Sequence, residues 1–103
     1  MKTINTQDLL RFYRIDVEHI DLDDTFELED LFFKRKALIE RFNTLTVEEV
    51  IEFFRLEKQL QKFIPQVKKR YPRFYEKVIK PTTDELYKKL ETFKSSMPQT
   101  VRV

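Results

Sequence analysis

Apolar residues recur along most of this chain at intervals of three and four, the period of a helix with one inward face. Leu10, Tyr13, Val17 and Ile20 are spaced 3, 4, 3, which predicts a first helix over about residues 6–22. Asn5 or Thr6 stands where a side chain can accept its first free amide N–H. Leu28, Leu31, Arg35, Leu38, Phe42 and Leu45 are spaced 3, 4, 3, 4, 3 and predict a second helix over about residues 25–42. Asp24 lies three before Glu27, a start signal close to a capping box. Asn43 is a candidate left-handed cap where no glycine is available.

Thr46 and Glu49 form a capping box that opens a third helix, with Phe53, Leu56, Leu60, Phe63 and Val67 on its seam. The spacing continues through Tyr71, Phe74 and Val78 despite Pro65 and Pro72, which favours one long bent helix to Lys80. Two helices broken near Ile64 are the alternative. Lys80-Pro81 reads as a firm break, with Thr82 and Glu85 as a further capping box. Leu86, Leu90, Phe93 and Met97 then mark a fourth helix. The expected architecture is all-α: a three- to four-helix antiparallel bundle with a long, Pro-bent third helix. It forms a single domain over 1–103, with 98–103 a loose C-terminal tail.

Composition narrows the classes. With 103 residues and 41% hydrophobic content, the chain suits one folded domain. It has no glycine, which argues against tight hairpins and Gly-rich phosphate loops. It has no cysteine, which excludes disulfides and thiolate metal sites. No run of 18 apolar residues and no signal-peptide core is present, so a cytoplasmic location and no membrane partner are expected.

Net charge is +2, but it is unevenly spread. Residues 8–30 carry nine acids against Arg11 and Arg14, and residues 61–80 carry seven cations against Glu76. One reading makes these segments neighbours that attract each other in the bundle. The other makes Lys68, Lys69, Arg70, Arg73 and Lys77, interleaved with Tyr71, Phe74 and Tyr75, a strip for nucleic acid.

Catalytic signals are weak. The chain has one histidine, His19, and its serines are confined to Ser95 and Ser96. No metal, cofactor or enzymatic activity is expected. The segment Leu31–Leu38 looks loosely similar to the first helix of small all-α chorismate mutases, but no second arginine–lysine constellation follows it.

Excess apolar surface is the stronger signal. Phe32, Phe33 and Ile39 extend the second helix beyond one stripe, and Ile51 and Phe54 do so on the third. Two central helices would absorb this surplus, as would a groove for a partner's amphipathic helix. Arg35, on the apolar seam, is either a paired arginine that sets helix register or a recognition residue. These six are the candidate partner-binding residues.

The run Leu28–Phe42, the start Leu45-Thr46-Val47-Glu48-Glu49 and the segment Leu56–Gln61 together resemble flagellar export chaperones of the FliT type. FlgN-type chaperones are similar to almost the same extent. The resemblance implies a cytoplasmic chaperone that holds a helical segment of a filament-cap protein before export. It also implies a regulatory last helix, carried by Leu86, Tyr87, Leu90 and Phe93. The identity of the partner, and whether the chain forms a homodimer, are left open by the sequence.

Overall fold

The computed structural model describes residues 5–96. The expected tail 98–103 lies outside them, as does the side chain of Phe93. Every described element is helical: α1 (Thr6–Glu18), α2 (Thr25–Glu40), a 3₁₀ turn (Phe42–Thr44), α3 (Val47–Leu60), α4 (Ile64–Arg70) and a joined helix α5, residues 72–96.

Three helix starts are built locally. Asp8 N–H donates to Asn5 Oδ1 at 2.8 Å, and Glu27 N–H donates to Asp24 Oδ1 at 3.1 Å. At α3 the box is reciprocal: Glu49 N–H donates to Thr46 Oγ1, and Thr46 N–H donates to Glu49 Oε1.

The helices run up and down around one core. Lys34 on α2 reaches back to Asp16, while His19 and Ile20 share a hollow with the earlier Glu27 and Leu31, which sets α1 antiparallel to α2. Tyr13, Leu31, Phe32, Leu38, Ile39, Phe42, Phe53, Leu60, Val67 and Ile79 are fully enclosed. Each such side chain contributes on the order of 1.5–3 kcal/mol by leaving water. α1 packs closely on α2 and α3, while α5 packs on α2 and the turn at 42–44. The short α4 crosses the end of the bundle beside the α1–α2 loop. There Tyr71 O–H donates to Leu22 O at 2.9 Å and Arg70 pairs with Asp23. The acidic and basic segments are therefore neighbours at this end.

Several boundaries differ from the periodicity. α1 stops at Glu18 because the chain turns at Asp21, whose carboxylate accepts Asp23 N–H at 2.9 Å. Asn43 takes no left-handed cap: no described residue has positive φ, and Asn43 lies inside the 3₁₀ turn. The span 47–80 is divided twice, in the turn at 61–63 and at Tyr71. Pro65 and Pro72 each occupy a first-turn position, where the missing N–H costs nothing.

Lys80-Pro81 is no break. Residues Pro72–Phe74, a π-helical stretch Tyr75–Ile79 and Lys80–Ser96 run on without interruption. Lys80 N–H bonds back to Tyr75 O, and this wider turn gives the Pro81 ring room. Thr82 Oγ1 then donates to Val78 O, and Thr83 Oγ1 donates to Ile79 O at 2.7 Å. Thr82 is buried inside a helix and caps nothing. The last helix is consequently not a separable appendage starting at Pro81.

Candidate functional site

Two features stand out: a polar knot in the core and a groove above it. Each of the four long helices contributes one residue to the knot. Arg35 on α2 donates from Nε to Glu57 Oε1 at 2.6 Å and from Nη2 to Glu57 Oε2 at 3.1 Å. Nη2 also donates to Thr83 Oγ1 on α5 at 2.9 Å. Tyr13 O–H on α1 donates to Glu57 Oε1 at 2.7 Å. Burial, and then the Glu57 carboxylate beside it, hold the Tyr13 pKa well above the usual tyrosine value. Among the described residues, Arg35 Nη1 has no hydrogen-bond partner.

A buried ion pair of this kind is expensive to desolvate and adds little net stability. What it adds is geometry. The carboxylate accepts from two helices at once, and the guanidinium reaches two more, so a slip of α2 or α3 strands a charge and a slip of α1 or α5 breaks a hydrogen bond to it. The arrangement leaves Glu57 without a free strong acceptor direction for acid–base work, because both oxygens are already engaged. Arg35 is likewise committed to Glu57, which counts against its holding a dicarboxylate substrate.

The groove lies where α3 and α5 stand apart. Phe54, Lys58 and Gln61 line one side, Thr83, Leu86 and Tyr87 the other, with Glu57 on the floor. Its volume is about 290 Å³. Val47, Ile51, Phe54 and Lys58 are spaced 4, 3, 4, so the lining face of α3 continues to its first residue. Thr83, Tyr87 and Leu90 repeat the pattern at 4, 3 on α5. Val47 is 66% exposed, Ile51 56% and Tyr87 60%. Phe54 and Leu90 are half-buried. Lys89, on another face of α5, donates to Ile39 O at 2.7 Å and to Glu40 O at 3.1 Å, which closes the end of α2 and anchors α5 there.

The six residues expected on a partner surface separate into three groups. Phe54 lines the groove, and Ile51 is exposed one turn before it on the same face of α3. Phe33 is exposed on the outer face of α2, seven residues from the equally outward Phe26. Phe32, Arg35 and Ile39 are core residues and contribute no surface; Phe32 packs edge-on against Phe74 with ring centres 5.7 Å apart. Of the residues expected on a regulatory last helix, Leu86 is buried, Leu90 is half-buried and Tyr87 faces solvent at the groove.

The basic strip is exposed but broken by the kink at Tyr71. Lys68, Lys69 and Arg70 end α4, and Arg73 and Lys77 lie on α5. Its aromatic side chains are already occupied: Tyr71 with Leu22, Phe74 with Phe32, and Tyr75 beneath Lys68 at 5.1 Å. Among the described residues no cluster of three His, Cys, Asp or Glu could hold a metal ion, and no helix is long and apolar enough to cross a membrane.

Glu57 has a signal in the sequence, though a faint one. It lies four after Phe53 and three before Leu60, an acid on an apolar line, facing an arginine on an apolar line one helix earlier. Thr83 has none, because its place depends on how α5 passes Pro81. Comparison of the chain with protein-family models, with curated proteins and with solved structures finds no match.

Proposed function

We propose that this protein is a protein-binding module that receives an amphipathic helix of its partner in the groove between α3 and α5. One observation carries the reading: Phe54, Leu86 and Tyr87 line one groove, and the α3 stripe continues from it through Ile51 to Val47, so that Val47, Ile51 and Tyr87 stand largely in water. The resemblance to export chaperones supplies a specific form of it. In that form the partner is the helical C-terminal part of a filament-cap protein, held in the cytoplasm before export. Against the strip at residues 68–77 as a nucleic-acid surface stands the engagement of the aromatics that would stack on bases. Against catalysis stands the saturation of the Glu57 carboxylate.

The test is a titration of the full chain with that helical segment, followed by methyl resonances. Those of Val47, Ile51, Leu86 and Leu90 shift, while those of Ile15 and Ile20 on the opposite edge do not. Ile51→Asp, at an exposed position, weakens binding at least about tenfold. Shifts confined to the α1–α2 edge, or an Ile51→Asp variant that binds as well as the parent chain, would overturn the groove reading.

A further inference from the structure

This inference rests on the groove reading above and names the chemistry of the occupant. We infer that the groove takes an amphipathic helix with acidic residues at the end that passes Gln61 and Thr83.

The argument starts from the order of side chains along the α3 wall. Val47, Ile51 and Phe54 are apolar, and the next residue on the same face is Lys58. The distance from Val47 to Lys58 along the helix is about 16 Å, three turns. On the facing wall Leu90 and Tyr87 lie toward the apolar end and Thr83 toward the lysine end, because Thr83 meets Arg35 beside Glu57 while Lys89 reaches the end of α2 next to the turn that precedes α3, so α5 runs antiparallel to α3. The groove is therefore graded, apolar at one end and cationic at the other.

More positive charge gathers at the cationic end. Lys62 follows in the turn beyond α3, and Lys80 lies one turn before Thr83 on α5. Among the described residues Lys58 and Lys62 form no ion pair, and Lys80 makes only a 3.9 Å contact with Glu76, both groups being largely exposed. Asp84 is the acid nearest in sequence to Thr83 on α5. The floor does not compensate, since Glu57 is neutralised by Arg35. An incoming carboxylate would thus meet Lys58 and Lys62, which no carboxylate among the described residues pairs, and Lys80, which Glu76 contacts only at 3.9 Å. A second copy of this chain is a poorer source. The carboxylates Asp16 and Asp30 beside its exposed Phe12 and Ile15 are already shared by Lys34.

Two synthetic amphipathic peptides of about 18 residues, five helical turns, test this. They share one leucine stripe and differ in the final turn, which carries glutamates in one and glutamines in the other. Binding to the full chain and to Lys58→Glu is read by fluorescence anisotropy. The glutamate peptide binds the parent chain about tenfold more tightly at low salt, as expected for a few exposed charge pairs. The advantage shrinks as salt rises toward about 0.5 M, and Lys58→Glu removes or reverses it. Equal affinity of the two peptides overturns the acidic-partner inference and leaves the groove reading standing. Failure of both peptides to bind overturns both. If the chain instead dimerises in sedimentation and Ile51→Asp restores the monomer, the occupant is a second copy and the inference is wrong.

Discussion

Arg35 shows how far a single residue can be read from its neighbours along the chain. Its place on an apolar seam announces that a charge goes inside, and a buried charge demands a partner. Which partner is a question of three-dimensional approach: Glu57 lies 22 residues away, and Tyr13 and Thr83 lie on two further helices. The knot predicts a strongly non-additive pair of substitutions. Arg35→Met leaves the Glu57 carboxylate buried and unpaired and costs about 3–5 kcal/mol in urea unfolding. The double variant Arg35→Met, Glu57→Leu recovers most of that loss, because no charge is left behind. A double variant no more stable than the worse single one would show that the ion pair itself stabilises the bundle.

Elements whose signals act within one turn are legible in the sequence. Asn5, Asp24 and the Thr46–Glu49 box each satisfy an amide three residues away, so their signal is local. Element ends that depend on tertiary contacts are not legible. α1 ends where Asp21 turns the chain and Tyr71 fastens Leu22, and no local count reveals that tie. Pro81 is the sharpest case. Proline in a helix interior normally costs about 3 kcal/mol, yet here a π-helical turn before it gives the ring room and the helix passes. Pro81→Ala restores an N–H in a segment that is already helical. It should raise stability by about 1–3 kcal/mol with little change in far-UV helicity. A loss of stability would mean that the proline ring itself holds the shape of α5.

At the scale of the molecule, α5 closes the bundle instead of covering it as a detachable flap. It supplies Ile79, Thr82 and Leu86 to the buried interior, Thr83 to Arg35, and Lys89 to the end of α2. A chain ended at Lys80 loses contributions of about 1.5–3 kcal/mol from Leu86 and exposes the core around it, a large fraction of the 5–15 kcal/mol typical of a domain. That chain should lose its cooperative thermal transition by circular dichroism; a sharp transition would show that the other helices suffice. The all-α class and most core positions follow from the 3.6-residue period alone, because burying one face of each helix leaves few other arrangements. Only the packed structure decided which apolar residues stayed in water. Phe32 and Phe33 are adjacent and alike, yet one is core and the other surface, since Phe32 packs on Phe74 of α5 and Phe33 turns to solvent. The groove exists for the same reason: α3 and α5 are each amphipathic by sequence, but the gap between them is set by how α5 is anchored to α2.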